Sequence, residues 1–224
     1  MNYNDYYENG YTIKRQLLSL KEVEYLRNEI TNNIPSESCH GTRHLQFKIP
    51  AIYDFAYSQN VQDTLVKYFD NSPKLVRAIY FNKTLNTNWS VAWHQDKTIA
   101  VKEKVDIIGF ECWSIKQGVV HVQPPIEVMQ NIVTLRLHLD AADITNGALR
   151  VIPKSHQLGL LSPSQIEQIK DKQNPVFCHV EAGDAVIMSP LILHSSLKAI
   201  NPSQRRVIHL EYSSLDLPED LSWV

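Results

Sequence analysis

The chain has 224 residues, of which 43% are hydrophobic and 21% charged, a balance typical of one globular domain with a sizeable core. Its formal net charge is −2 and its basic residues are scattered, so the sequence predicts no contact with nucleic acid or with a membrane. No stretch is apolar enough to span a bilayer, and the N-terminus lacks a signal-peptide pattern. Cys39, Cys112 and Cys178 lie far apart, which favours free thiols and a cytoplasmic location.

Helices are predicted at three places along the chain. A capping-box pattern that starts at Ser19 precedes apolar residues at helical spacing and predicts a helix over 20–31. A second helix is predicted over 61–69. A third begins near Ser162-Pro163, where proline would occupy the first helical position.

Most of the remaining chain predicts short strands. RAIYFNK (77–83) is rich in aromatic and β-branched residues, and apolar and polar residues alternate in IVTLRLHLD (132–140) and RRVIHLEY (205–212). The stretches VFCHV (176–180) and AVIMSP (185–190) flank a short turn and predict a hairpin. Many short strands after N-terminal helices favour a β-sandwich or barrel with helices packed outside it.

The segment 97–131 fits neither a helical nor a strand pattern, and it is predicted to be irregular. It contains Gly109, Gly118 and the pair Pro124-Pro125. Long irregular insertions in compact domains are often lids or binding loops, which is one interpretation of this segment. A surface excursion without a function is the other.

Three residues form a candidate metal site. His94 and Asp96 occupy alternate positions of VAWHQDKTIAV (91–101), so they would project from the same face if 91–96 ends a strand. His194, in LILHSS, supplies a third ligand. Each residue alone also fits an ordinary position in a core, but two histidines and one carboxylate together are the ligand set of non-haem Fe(II) oxygenases.

A candidate carboxylate-binding residue follows the last histidine. Arg205 begins the final predicted strand, and a guanidinium near such a metal can bind a carboxylate through two parallel hydrogen bonds. 2-Oxoglutarate needs such a contact at its far carboxylate. Ser196 is placed to donate a further hydrogen bond. Because Arg205 and Arg206 project to opposite sides of a strand, one of them is predicted to be a solvated surface charge.

These motifs together resemble a known family. WHQD (93–96), NGALRVIPKSHQLG (146–159), GDAVIMSPLILHSS (183–196) and Arg205, in this order, resemble the phytanoyl-CoA dioxygenase family of iron- and 2-oxoglutarate-dependent oxygenases. The resemblance implies a double-stranded β-helix, a cupin-like jelly roll with helices against one sheet. It implies a single domain over 1–224, with a helical part over about 1–75 and a jelly-roll core over about 76–212.

The same resemblance implies the roles of the site residues. His94, Asp96 and His194 match the iron ligands of the family, and Arg205 and Ser196 match its 2-oxoglutarate contacts. The implied reaction consumes Fe(II)-activated O₂ and 2-oxoglutarate, hydroxylates a small molecule, and releases succinate and CO₂. The carboxylate of Asp96 favours hydroxylation, because related halogenases have a small residue at this position.

Several residues depart from the family or allow two explanations. Arg136 and Lys83 fit either a contact to a carboxylate of cosubstrate or substrate, or an ion pair inside the barrel. Lys154 stands where the family commonly has glycine. Trp93 and Trp113 fit either the pocket wall or the core.

Two other functions share parts of this pattern. A non-catalytic, cupin-like module that binds metal or ligand would keep the three metal ligands but would not need Arg205. A zinc hydrolase can use the same donor set, although the sequence has no His-Glu-x-x-His motif. The substrate and the oligomeric state are not predicted, and no basic patch points to the phosphates of a CoA ester.

Overall fold

The computed structural model describes residues 3–35, 41–201, 203–218 and 220–224, which form helices and short strands joined by loops. The helices are α1 (Tyr3–Asn9), α2 (Leu20–Asn33), α3 (Leu45–Lys48), α4 (Pro50–Ala56), α5 (Gln59–Leu65), α6 (Ile126–Gln130) and α7 (Pro163–Lys172). The strands are β1 (Tyr11–Lys14), β2 (Thr42–Arg43), β3 (Lys74–Lys83), β4 (Val91–His94), β5 (Ile99–Val101), β6 (Glu111–Lys116), β7 (Val119–Gln123), β8 (Val133–His138), β9 (Leu149–Ile152), β10 (Val176–Phe177), β11 (Ala185–Met188), β12 (Leu193–Ser196) and β13 (Arg205–Ser213). No helix in these ranges combines the length and the apolar character that crossing a membrane requires.

The strands form antiparallel sheets around a cavity. The larger sheet has the order β1-β11-β8-β13-β3-β2, and a four-stranded sheet has the order β10-β9-β12-β4. Residues of both sheets line one cavity, as in a jelly roll, so the predicted fold class is confirmed. The N-terminal part also supplies β1 and β2, the two edge strands of the larger sheet.

The six-stranded sheet has two chemically different faces. Alternate side chains of its strands pack against α2 and the other N-terminal helices, and together they form the main core. The members of this core on the sheet include Ala78, Tyr80, Leu135, Leu137, Ile208 and Leu210. The intervening residues of β3, β8 and β13 include Arg77, Arg136, Arg205 and His209, which line the cavity, whereas those of β1 and β11 pack in a second apolar cluster. In β3, β8 and β13 the alternation therefore separates the core from the site.

The two predicted helix starts with capping signals are confirmed. At α2, the Ser19 hydroxyl accepts a hydrogen bond from the Glu22 N–H, and the Glu22 carboxylate accepts one from the Ser19 N–H. At α7, Ser162 and Gln165 make the equivalent reciprocal pair. Each pair satisfies helical N–H groups that would otherwise lack partners.

The predicted hairpin of residues 176–180 and 185–190 is wrong. Strand β10 pairs with β9, whereas β11 pairs with β1 and β8 in the other sheet. The intervening turn therefore carries the chain from one sheet to the other. Asp184 fixes this corner, because its carboxylate accepts hydrogen bonds from the N–H groups of Gln16 and Glu181 and from the Arg15 guanidinium.

The segment 97–131 is not irregular, contrary to the prediction. It contains α6 and a three-stranded sheet of order β5-β7-β6 with its own apolar cluster. Gln117 and Gly118 both have positive φ and form a two-residue hairpin turn, which matches the right-handed twist of the strands. A register shift between Glu111 and Ser114 interrupts the alternation in β6, which obscured this strand in the sequence.

Candidate metal centre

The three predicted metal ligands meet at one end of the four-stranded sheet. His94 is the last residue of β4 and lies opposite His194 of β12 in the strand register. The Asp96 carboxylate lies 3.9 Å from His94 Nε2 and 3.5 Å from His194 Nε2. The predicted strand over 91–96 ends two residues early, and a hydrogen bond of 2.9 Å from the Asp96 N–H to the Pro190 carbonyl holds Asp96 beyond it.

Both imidazoles are oriented by their own strands. His94 Nδ1 lies 2.8 Å from the Ala92 carbonyl and His194 Nδ1 lies 2.9 Å from the Ile192 carbonyl, so each Nδ1 donates a proton. That tautomer leaves each Nε2 with a lone pair facing Asp96. Burial and the neighbouring His94 lower the pKa of His194 to about 3, so this imidazole is neutral.

The ligand set suits a divalent cation. Burial opposes ionisation of Asp96, but the neighbouring imidazoles and the Arg77 guanidinium outweigh it and keep the pKa of Asp96 below its usual range. One ligand atom from each of His94, Asp96 and His194 lies within 4.8 Å of the others. A carboxylate and two imidazoles that converge in this way fit the iron that the sequence implies.

The polar face of the six-stranded sheet carries a chain of hydrogen bonds towards this centre. Arg136 donates to His209 Nδ1 at 2.8 Å, and His209 Nε2 in turn lies 2.9 Å from the Glu211 carboxylate, which also accepts from Arg77. Arg136 thus contacts a neutral imidazole rather than a carboxylate. Its Nε is buried and has no hydrogen-bond partner among the described residues.

Arg205 and Lys83 form a cationic pair at the far end of this face. They lie opposite each other on β13 and β3 and are only 3% and 2% exposed. Arg205 donates to the Gly147 carbonyl, and Lys83 donates to Ser196 Oγ and to the Leu197 carbonyl at 2.8 Å each. Within the described part of the chain neither cation has a carboxylate partner, and Arg205 Nε has no hydrogen-bond partner.

The burial of these cations perturbs their protonation. Burial, followed by the charge of Arg136, lowers the pKa of Arg205 to about 9. Burial, followed by the charges of Arg205 and Arg136, lowers the pKa of Lys83 to about 7. The unliganded site therefore holds buried positive charge that an anion would stabilise. The Ser196 hydroxyl already donates to the Gly147 carbonyl at 2.8 Å, so it would have to rotate to donate to a ligand.

The metal centre and the arginines share one cavity of about 210 Å³. Phe81 and Trp89 supply its aromatic wall, whereas Trp93 and Trp113 belong to apolar clusters away from the cavity lining. The lining also includes residues that the sequence analysis did not select, namely Arg43, Arg77, Lys116, His121 and His209. The period of two in the predicted strands RAIYFNK and RRVIHLEY could have identified Arg77 and His209, because Arg77 shares a face with Lys83 and His209 shares one with Arg205.

Two further basic residues have structural roles. The sequence predicts that one of Arg205 and Arg206 is a solvated surface charge, but Arg206 is not. It binds Asp140 with two hydrogen bonds of 2.8 and 2.7 Å. Lys154 adopts a left-handed conformation with φ of 69°, which glycine adopts without strain and which explains why the family commonly has glycine there.

Solved structures of similar fold support this architecture. SnoN, a non-haem α-ketoglutarate-dependent epimerase from nogalamycin biosynthesis, matches with a TM-score of 0.69 and 16% identity over 93% of this chain and 79% of its own. EctD from S. alaskensis, solved with 2-oxoglutarate and 5-hydroxyectoine, gives a TM-score of 0.72 and 14% identity over 94% of this chain and 74% of its own. Iron-bound HygX from Streptomyces hygroscopicus gives a TM-score of 0.68 and 12% identity over 95% of this chain and 87% of its own.

Sequence comparison identifies the family. Phytanoyl-CoA dioxygenase 1 of Oryza sativa subsp. japonica is 23% identical over 171 residues, which cover 72% of this chain and 52% of the relative. The chain thus spans about half the length of that curated relative. The family model of phytanoyl-CoA dioxygenase (PhyH) matches residues 6–207. The chain therefore belongs to the phytanoyl-CoA dioxygenase family.

Proposed function

We propose that this protein is an Fe(II)- and 2-oxoglutarate-dependent dioxygenase that hydroxylates a small molecule. Its co-products are succinate and CO₂, and O₂ is the oxidant. One observation carries the proposal: two histidine Nε2 atoms and a carboxylate converge in a cavity that also contains a buried guanidinium, which has no carboxylate partner among the described residues. Family membership and the iron and 2-oxoglutarate in the EctD structures support it.

His94, Asp96 and His194 would hold the metal. The hydrogen bonds from each Nδ1 to the strand backbone fix the rings, so that each Nε2 meets the metal without reorganisation. Bound Fe(II) supplies O₂ activation coupled to oxidative decarboxylation of 2-oxoglutarate, and three protein ligands leave positions open for it. The remaining work of the protein is to orient both substrates and to exclude water.

Arg205 would bind the far carboxylate of 2-oxoglutarate. Its guanidinium is buried and fixed at one end by the Gly147 carbonyl, and its Nε has no partner among the described residues. A carboxylate placed there would neutralise this buried cation. Lys83 and Ser196, which hydrogen-bond to each other beside Arg205, would complete the same subsite.

Arg136 would serve the metal-proximal side of the cavity. Its contact with His209 leaves the Nε donor unused, and Phe81 lies beneath its guanidinium at 5.5 Å. This fixed position suits a hydrogen bond to a carboxylate of 2-oxoglutarate or of the substrate. The chain of hydrogen bonds through His209 and Glu211 would hold the guanidinium in place.

The alternative is a cupin-like module that binds metal and ligand without turnover. Incubation of the protein with Fe(II), 2-oxoglutarate and O₂, with succinate measured over time, separates the two functions. Succinate formation above that of a His194→Ala control supports the dioxygenase. If the protein binds iron and 2-oxoglutarate but forms no succinate even when a metabolite library is added, the cupin-like binding module is favoured.

We also propose a cytoplasmic location. Cys112 and Cys178 are free thiols, whereas Cys39 lies outside the described residues. Proteins of oxidising compartments generally pair their cysteines. A fractionation that placed the protein outside the cytoplasm would contradict this proposal.

A further inference from the structure

The cavity carries a second pair of cations, Arg43 and Lys116, which the proposed chemistry does not use. Arg43 lies on β2, is half-buried, and lines the cavity together with the metal ligands. Lys116 is the last residue of β6 and is exposed at the same cavity. Because Arg205, Lys83 and Arg136 are all buried, the pair of Arg43 and Lys116 marks the open side of the cavity, which we call the mouth.

The strand register separates Arg43 at the mouth from Arg136. Arg43 pairs with Ile79, Ile79 with His209, and His209 with Arg136, so these four residues form one row across the sheet. With strands about 4.8 Å apart, the backbones of Arg43 and Arg136 are roughly 14 Å apart along this row. Their side chains point to the same face, so the cavity lies between two groups of positive charge.

Two different elements are held together at the mouth. Gln117, which follows Lys116 in the hairpin turn, donates a hydrogen bond of 3.2 Å to the Gly41 carbonyl just before β2. This contact connects the small three-stranded sheet to the edge of the large sheet. Arg43 and Lys116 therefore lie on either side of the same opening. The hydrogen bond between residues close to them in the chain holds the two sides together.

Neither charge at the mouth contacts a carboxylate within the described residues. Arg77 is neutralised by Glu211, but neither Arg43 nor Lys116 has an ion pair or hydrogen bond to a carboxylate in the parts of the chain that are described. Burial and the positive charge of Arg77 lower the pKa of Arg43. Burial and the charges of Arg77 and Arg43 lower the pKa of Lys116, and the more distant carboxylate of Asp96 offsets this only in part. An anion between them would relieve this repulsion.

The cofactors of the proposed reaction do not need Arg43 and Lys116 for the neutralisation of their charges. The two carboxylates of 2-oxoglutarate would be matched by the three inner cations, Arg205, Lys83 and Arg136, and the metal. We propose that Arg43 and Lys116 bind an anionic group of the substrate, a carboxylate or a phosphate, and so select acidic small molecules. This inference rests on the proposed function and adds the substrate class.

The test is titration of small anions into the protein loaded with Fe(II) and 2-oxoglutarate without oxygen, so that the inner cations are already occupied. Inorganic phosphate, acetate and neutral acetamide are the probes, and calorimetry measures their affinity. The variants are Arg43→Gln and Lys116→Gln, with Lys102→Gln as the control. Lys102 is an exposed lysine of the same segment that does not line the cavity. Arg43→Lys tests whether charge alone is sufficient.

We expect saturable binding of an anion in the millimolar range and none of acetamide. Arg43→Gln and Lys116→Gln should each weaken anion binding at least tenfold. The control Lys102→Gln should leave anion binding unchanged, and Arg43→Lys should largely preserve it. Preference for phosphate over acetate would indicate a phosphorylated substrate, and equal affinity a carboxylic acid. Absence of anion binding, or equal loss in Lys102→Gln, would overturn the inference.

Failure of the proposed function would look different. If the wild-type protein bound neither Fe(II) nor 2-oxoglutarate, the dioxygenase assignment would fail. The same titrations on the ligand-free protein would then still show whether Arg43 and Lys116 bind anions. If Fe(II) and 2-oxoglutarate bind but phosphate and acetate do not, the substrate class alone is wrong.

Discussion

Replacing Arg205 with methionine should weaken cosubstrate binding and stabilise the empty protein at the same time. Arg205 is 3% exposed and lacks a counter-charge within the described residues. A pKa lowered to about 9 corresponds to on the order of 3–5 kcal/mol by which folding disfavours the charged side chain. Methionine has a similar length and no charge, so it removes this penalty.

The net gain in stability should be smaller than that penalty. Arg205→Met also removes the hydrogen bond to Gly147, although the Gly147 carbonyl keeps its bond from Ser196 Oγ. We therefore expect the free energy of unfolding of the 2-oxoglutarate-free protein to rise by about 1–3 kcal/mol. Loss of a buried charge pair with 2-oxoglutarate should cost about 2–5 kcal/mol, which is roughly a 30-fold to several thousandfold weaker affinity.

Arg206→Met is the matched control on the neighbouring residue. It breaks the two-pronged contact with Asp140 on the opposite face of β13, so it should lower stability by about 1–3 kcal/mol and leave 2-oxoglutarate affinity unchanged. Chemical denaturation and calorimetry measure the two quantities. A loss of stability in Arg205→Met, or unchanged 2-oxoglutarate affinity, would show that the cation is structural.

Three further predictions concern the metal, a buried lysine and the segment 97–131. His94→Ala and His194→Ala should each abolish Fe(II) binding and succinate formation in a folded protein, whereas alanine at the exposed His179 should do neither. Titration with Fe(II) measures metal binding, and circular dichroism shows whether each variant is folded. Lys83 has a pKa near 7 when folded and about 10.4 when unfolded, so the unfolded chain binds more protons between these values. The free energy of unfolding should therefore rise from pH 7 to 10, by at most ~1.4 kcal/mol per pH unit from this group, and a flatter profile in Lys83→Met would confirm the source. If 97–131 is a lid, its proteolysis should slow when Fe(II), 2-oxoglutarate and substrate are added without oxygen, and equal cleavage in all states would identify a fixed structure.

Much of the site followed from local sequence because strands have a strict period of two. In IVTLRLHLD the apolar residues take one side, so Arg136 had to face away from the core, and the structure places it in the cavity. The same alternation separated Arg205 from Arg206. The metal ligands required a resemblance as well, since a histidine two residues from an aspartate carries little information alone.

The remaining features depend on contacts between distant parts of the chain. Arg43 reaches the cavity only because the two-residue strand β2 pairs with β3, and no local pattern marks so short a strand. Lys116 is placed by the small sheet within 97–131, whose strands are interrupted by a register shift. The hairpin predicted around Gly183 failed for a related reason: local turn signals show where a chain reverses but not which sheet it joins next.

Both edge strands of the six-stranded sheet come from the N-terminal part of the chain. Strand β1 lies beside β11, whose residues Ala185–Met188 are all buried, and β2 lies beside β3. Without β1, the backbone of an apolar strand would be open to pair with another molecule, the usual route to edge-to-edge aggregation. During synthesis β1 emerges long before its partner β11, and the sheet stays incomplete until β13 (Arg205–Ser213) has been made, so its apolar strands are exposed to aggregation over most of this time.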